Sequence, residues 1–230
     1  MGFYSVENSH NFYIFVLVDI HFKDILPIPI TESQISKKSI WKTSFTLKKG
    51  EKILLNANSG KGKTTFTEIL AGIRNDYTGK VFFDEDDIST FDIKKWTTLR
   101  KDKMSFVFQD LQLFPNLTVK ENLQIKNQLR NHLPEDDVLK MIHHLGIEDK
   151  VDSLGKTLSM GQQQRVAIIR ALCQPFKWII LDEPFSHLDA ENSRLAMSLI
   201  QKYVNQQNSG MILTTLGEKY DYTYDKELFL

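Results

Sequence analysis

Short apolar runs alternate along the chain with segments whose apolar residues recur every third or fourth position. The runs MSFVFQ (104–109), KWIIL (177–181) and GMILTT (210–215), with FYIFVLV from Phe12 to Val18, have the length and β-branched or aromatic content of buried strands. GKVFFD (79–84) reads as a further short strand, and Lys49-Gly50 divides SFTLKKGEKILL (44–55) into two. The prolines of ILPIPI (25–30) suit an edge or a turn. Between these runs, KTTFTEILAGI sets Phe66, Ile69, Leu70 and Ile73 at helical spacing and closes near Gly72. SMGQQQRVAIIRALCQ (159–174) and DAENSRLAMSLIQKYV (189–204) read as helices in the same way. Strands alternating with helices around apolar strand runs predict a parallel sheet covered on both faces.

From about Leu111 to Leu158 the pattern becomes wholly helical: TVKENLQIKNQLRNHL, then PEDDVLKMIHHLGI. Thr118 followed by Glu121 is the spacing of a capping box. At 230 residues the chain is long for one compact domain and short for two. The expectation is therefore a single domain over 1–230, with core segments 1–110 and 159–230 and an inserted lobe over 111–158.

Composition narrows the partners. The 29 basic residues balance the 29 acidic ones, so the whole-molecule field gives no reason to expect nucleic acid as a partner. The one cysteine, Cys173, excludes an internal disulfide framework and a thiolate metal cluster and suits a reducing cytoplasm. No apolar run reaches the roughly 18 residues needed to cross a bilayer. Work at a membrane is then expected of a peripheral subunit. His143 and His144 are helix neighbours pointing about 100° apart, a poor chelating pair.

Two stretches carry chemistry. In ANSGKGKTT, Asn58, Ser59, Gly60, Lys61, Gly62, Lys63, Thr64 and Thr65 follow a strand and open a helix. That is the context of a phosphate loop: glycines let backbone N–H groups turn toward phosphates, the lysine reaches their oxygens, and the Thr64 hydroxyl suits Mg²⁺. Ala57 stands where the first glycine is usual; a positive φ there would strain it by about 1 kcal/mol. In KWIILDEP, an apolar strand runs straight into Asp182 and Glu183. Asp182 at the strand's carboxyl end is placed to hold Mg²⁺, and Glu183 beyond it to accept a proton from a water attacking a γ-phosphate.

Phosphate loop, Phe108-Gln109, LSMGQQQR (158–165), ILDEP and SHLD (186–189), in that order, resemble the ATP-binding subunit of ABC transporters. The resemblance covers about Ser39 to Thr215, and VFQDLQLFPNLTVKENL looks most like the lipoprotein-release and macrolide-export branch. It implies an α/β fold: a P-loop NTPase parallel-sheet core, an N-terminal antiparallel β portion and the inserted α-helical lobe. It also implies ATP and Mg²⁺ as cofactors, a second ATP-binding subunit (identical or not) closing head to tail on two ATP molecules, and a separate transmembrane permease. The place implied is the cytoplasmic face of the membrane. Ser159, Gly161 and Gln162 would meet the ATP held by the partner's Lys63. Gln109 would sense Mg²⁺ and the attacking water where the lobe hinges on the core, and Asp189 would lie at the subunit interface. Met160 replaces a signature glycine that varies in the family.

One departure bears on rate. The family carries a histidine that contacts the γ-phosphate at the end of the strand after the acidic pair, where this chain has GMILTTLGEKY, with Thr215 or Leu216 at that place. Losing one transition-state contact of this kind costs about 10²–10³ in rate. His187 lies in the loop before Asp189 and is the nearest substitute by motif. Phe22 and Trp41 are the aromatic candidates for stacking on adenine, packing in the core being the alternative for each. The ending YDKELFL implies a reduced closing hairpin and helix. Besides a transport ATPase, a hydrolysis-impaired ATP switch and a non-transport ABC ATPase fit the same motifs. The latter predicts tandem cassettes, a coiled-coil insertion or a basic face, features not found here.

Overall fold

The computed structural model describes residues 18–31, 35–58, 60–218 and 220–230. In chain order the elements are β1 (Ile20–Pro27), β2 (Phe45–Leu47), β3 (Lys52–Asn56), α1 (Lys63–Leu70), β4 (Tyr77–Phe83), β5 (Asp86–Asp87), α2 (Ile93–Asp102) and β6 (Met104–Val107). There follow α3 (Val119–Asn127), α4 (Glu135–His144), α5 (Met160–Leu172), β7 (Trp178–Asp182), α6 (Ala190–Gln206), β8 (Gly210–Thr215) and β9 (Lys226–Phe229).

Two sheets form. An antiparallel one runs β2-β1-β4-β5, and a five-stranded parallel one runs β6-β7-β8-β3-β9. The expected parallel core with an antiparallel portion is thus present. Strand β7, WIILD, is buried along its whole length, as a central strand covered on both faces must be. Its side chains alternate between two cores: Ile179 and Leu181 join Leu54, Leu213 and Ile169, whereas Trp178 and Ile180 join Ile53, Leu55 and Phe66. Removing an isoleucine side chain of this kind from water contributes about 2 kcal/mol.

One local expectation needs correction, one falls almost wholly outside the described residues, and one strand was not expected. The stretch around ILPIPI is not an edge turn throughout: Ile20–Pro27 is a strand in the middle of the antiparallel sheet. A bulge between Lys23 and Leu26, with Asp24 at φ +52°, breaks its alternation. Gly79 lies opposite, where a Cβ would come 2.4 Å from the Lys23 carbonyl oxygen. Second, of the Phe12–Val18 run only Val18 falls within the described residues, and it is buried but outside any strand. Third, KELF near the C-terminus is a fifth strand of the parallel sheet, paired with β3.

The register places the chemistry. Asn56 on β3 faces Thr215 on β8, Asp182 on β7 faces Thr214, and Val107 on β6 faces Leu181, so all four strands end at one edge. Loops leaving the carboxyl ends of parallel strands are where such folds collect ligand-binding groups. Helices α3 and α4 lie between β6 and α5 and share the larger core through Leu123, Met141 and Ile142. The capping box forms: Thr118 Oγ1 accepts from Glu121 N at 3.2 Å, and Glu121 Oε2 accepts from Thr118 N at 2.7 Å.

Candidate functional site

The phosphate loop joins β3 to α1. Gly60 and Gly62 adopt φ +74° and +99°, the left-handed region that favours glycine. Gly62 is also hemmed in, since a Cβ there would meet Ile30 Cδ1 at 2.9 Å and Trp41 Cζ2 at 3.1 Å. Ala57, at the usual first glycine, has no positive φ, so the feared strain is absent. Lys63 opens α1 almost fully buried, at 5% exposure. Its Nζ donates to the Ala57 carbonyl at 3.0 Å and the Asn58 carbonyl at 3.4 Å and stands 3.2 Å from Glu183 Oε1. Thr65 Oγ1 accepts from Arg74 at 3.3 Å, and the Lys61 carbonyl accepts from Trp41 Nε1 at 3.4 Å. Ser59 lies outside the described residues.

At the end of β7, Asp182 is 1% exposed. Its Oδ1 accepts from Thr214 Oγ1 at 2.6 Å; its Oδ2 is buried with no hydrogen-bond partner. Burial pushes the carboxyl above the usual carboxylate range, while the Thr214 hydrogen bond, the Thr64 hydroxyl and Lys63 pull it back down. An orphaned carboxylate oxygen close to the Thr64 hydroxyl is a set of hard oxygen donors, which fits Mg²⁺. Thr64 Oγ1 also donates to Gln109 Oε1 at 3.2 Å, so the third expected ligand is in contact with the first.

Glu183 takes φ +48°, unusual for a residue with a side chain. Its N–H donates to Thr214 Oγ1 at 3.1 Å, and its carbonyl accepts from Gln164 Nε2 at 3.1 Å and from the Ser186 N–H at 3.3 Å. After Gln109, Leu111 and Gln112 are both left-handed, at φ +60° and +49°. Arg170 on α5 donates to both their carbonyls, at 2.7 and 2.6 Å. Burial pushes its guanidinium down to about 10. A groove of 940 Å³ opens here, lined among others by Phe106, Phe108, Gln109, Phe114, Lys126 and Arg170.

The signature residues stand at the start of α5. Ser159 caps it, with Ser159 Oγ accepting from Gln162 N at 3.3 Å and Gln162 Oε1 accepting from Ser159 N at 2.9 Å. Gly161 has no room for a side chain, because a Cβ would lie 2.9 Å from the His187 carbonyl oxygen. Asp189 caps α6 by accepting from Asn192 N at 2.8 Å, and those hydrogen bonds hold its carboxyl below the usual range. Hydrogen bonds and ion pairs tie Lys63 to Glu183 and Thr64 to Gln109. Among the described residues, none joins those four or Asp182 to Ser159, Gly161, Gln162 or Asp189.

Phe22 and Trp41 both pack in the core: Phe22 stacks on Phe45 and Phe66, and Trp41 lies against Phe66. Thr215 is buried, its Oγ1 donating to the Glu218 carbonyl at 3.0 Å, whereas Leu216 is 54% exposed. Thr214, Gln164 and Arg170 escaped the sequence reading. A threonine ending an otherwise apolar strand beside β7, and a glutamine inside an apolar helix face, were the available signals.

The family model described as ABC transporter matches residues 40–186. The ABC transporter ATP-binding protein YtrE of Bacillus subtilis (strain 168) is 32% identical over 175 residues, covering 75% of this chain and 76% of that one. The lipoprotein-releasing system ATP-binding protein LolD of Buchnera aphidicola subsp. Acyrthosiphon pisum is 31% identical over 175 residues, 75% of this chain and 77% of that one. Among solved structures, the dimeric bacterial ABC transporter cassette MJ0796 superposes with a TM-score of 0.73 at 26% identity, over 86% of this chain and 88% of that one. MJ0796 in a dimeric post-hydrolysis state bound to ADP and Pi gives 0.73 at 26%, over 91% and 96%.

Proposed function

The chain belongs to the ABC transporter ATP-binding family, and from that premise we propose that it is the ATP-hydrolysing subunit of a membrane transporter. It closes head to tail with a second ATP-binding subunit and works at the cytoplasmic face of the membrane on a separate permease. The observation that carries this is the convergence of Lys63, Thr64, Gln109, Asp182 and Glu183 at the carboxyl edge of one parallel sheet. The dimeric MJ0796 structures support the two-subunit arrangement.

In this reading the backbone of 58–63 and the Lys63 ammonium hold the phosphates. Thr64, Gln109 and Asp182 hold Mg²⁺, which when bound neutralises phosphate charge. Glu183 accepts a proton from the water whose oxygen bonds to the γ-phosphorus as the bond to the β-bridging oxygen breaks and ADP leaves. For that, Glu183 must let go of Lys63 once phosphate takes its place. Among the described residues, Ser159, Gly161 and Gln162 make no hydrogen bond to their own phosphate loop, and in this reading they serve the partner's ATP; Asp189 lies at the same interface. Residues 111–158 form the inserted lobe. The groove lined by both this lobe and the core, with Phe106 and Phe108 from the core and Phe114 from the lobe, offers apolar surface to a permease segment.

A second reading, an ATP-closed switch with slow turnover, is favoured by one observation: GMILTTLGEKY (210–220), where the resemblance implies the family's histidine, at Thr215 or Leu216, contains none. Phosphate release and ATP-dependent dimerisation of the purified chain, beside Glu183→Gln, separate the two. Steady release that Glu183→Gln abolishes supports the hydrolase. Dimerisation on ATP without release supports the switch, and neither dimerisation nor release overturns both.

A further inference from the structure

Resting on that reading, we propose that Gln164 is a positioning residue for Glu183, which ties the helix carrying the signature to the general base of the same chain. Gln164 is 1% exposed in a helix whose neighbouring residues Val166, Ala167 and Ile168 are apolar and buried. A buried amide costs stability unless its hydrogen bonds are made. Here every one goes to the loop after β7. Nε2 donates to the Glu183 carbonyl at 3.1 Å and to Ser186 Oγ at 3.3 Å, and Oε1 accepts from the His187 N–H at 2.8 Å. Three residues earlier, on the same helix face, Gly161 lets the His187 carbonyl approach. Gly161 and Gln164 together grip the segment from Glu183 to His187.

What the grip holds is a strained backbone. At φ +48° the Glu183 conformation persists only where its surroundings enforce it. Thr214 Oγ1 fixes the peptide on the amino side, through the hydroxyl that also bonds Asp182. Gln164 fixes the carbonyl side. The direction of the Glu183 carboxylate follows from φ and ψ at that residue, so loss of the Gln164 amide frees the group that must face the attacking water. Because Ser159 opens the same helix, motion of its N-terminus against a partner's ATP is carried to Glu183. Gln164 therefore acts through another residue and touches no reacting atom.

The test uses the full chain with Gln164→Met, which removes every hydrogen bond of the amide. A second variant, Gln164→Glu, keeps an acceptor for the His187 N–H but sets a carboxylate oxygen against the Glu183 carbonyl. Steady-state turnover, with binding of a non-hydrolysable ATP analogue, is measured in the wild-type and Glu183→Gln backgrounds. The expected result is a fall in kcat of about tenfold or more in both variants, with KM and analogue affinity within about twofold of wild type. With Glu183 already replaced, neither variant is expected to lower the residual rate further, since two residues acting through one group are non-additive. The proposal is overturned by Gln164→Glu turning over at the wild-type rate, by a loss carried wholly in KM, or by the same fold loss in the Glu183→Gln background. A wild type without turnover overturns it together with the hydrolase reading; normal wild-type turnover unaffected by either variant overturns it alone.

Discussion

Lys63 Nζ and Glu183 Oε1 are 3.2 Å apart, so the cation that would hold phosphate and the acid that would deprotonate water are each other's counter-ion. Both are largely shielded, with side chains 5% and 14% exposed. In the proposed reading, ATP displaces Glu183 from the pair when it engages Lys63. Replacing Glu183 by Gln removes the competing charge without changing shape, so two opposite effects are expected. ATP affinity should rise by about fivefold, on the order of 1 kcal/mol, while turnover falls by at least 10². Titration with a fluorescent ATP analogue and phosphate release measure the two separately. A variant that loses affinity along with turnover would mean that Glu183 supports phosphate binding and does not compete with it.

Asp182 gives a pH dependence with a definite sign. Burial, the largest influence, raises its carboxyl in the folded chain. An acid raised on folding stabilises the fold in its protonated form: the contribution is in place below the unfolded value of about 4 and is lost as pH climbs through the raised one. Above the raised value the ionised group is therefore a cost, one that a divalent cation at its orphaned Oδ2 would offset. Asp182→Asn should raise the thermal midpoint in chelator by a few degrees, roughly 2–4 °C per kcal/mol for a chain of this size. It should also erase the extra stabilisation that Mg²⁺ gives with ATP. A lower midpoint, or undiminished Mg²⁺ stabilisation in the variant, would count against Asp182 as the cation's ligand.

The phosphate loop separates a glycine that is required from one that is not. Gly62 combines φ +99° with a Cβ direction filled by Ile30 and Trp41, whereas Ala57 has no positive φ. Gly62→Ala should cost about 1–2 kcal/mol of stability and lower ATP affinity at least tenfold, because the loop must deform. Ala57→Gly should leave affinity within about twofold. Equal effects from the two changes would place the strain elsewhere.

How far the sequence reveals the fold depends on how local each signal is. KWIIL and GMILTT are read correctly because strands buried on both faces are apolar along most of their length, and the Thr118 capping box because it is contained in four consecutive residues. IHFKDILP escapes because the bulge at Asp24 breaks its alternation, and KELF because only every second residue along it is even partly buried. At the candidate site, the glycines and acids announce themselves by spacing. The groups that hold them do not. Thr214 reaches Asp182 through β7–β8 register, Gln164 reaches Glu183 across 19 residues, and Arg170 reaches Leu111 across 59. Trp41 is missed as a wall of the phosphate loop for the same reason: only the fold brings it against Gly62.

In the proposed reading, the end of β8 and the residue after it bear on how fast the site turns over. Thr215 ends the strand buried, hydrogen-bonded to the Glu218 carbonyl, and its own carbonyl accepts from the Ala57 N–H at 3.2 Å. Leu216 is half exposed beside it. Neither side chain can offer what an imidazole gives a γ-phosphate in the transition state, a contact worth about 10²–10³ in rate. Thr215→His must fit a ring into a buried place, so it should cost stability; Leu216→His meets solvent and should not. At least one of the two is expected to raise kcat tenfold or more with ATP affinity little changed, and Glu183→Gln should cancel the gain because the histidine assists a step that still needs the base. Phosphate release from the two histidine variants, alone and combined with Glu183→Gln, measures this. If wild-type turnover is already on the order of 1 s⁻¹ or faster, the low end of ordinary enzyme rates, and neither histidine raises it, Thr215 and Leu216 impose no penalty and another group supplies the contact.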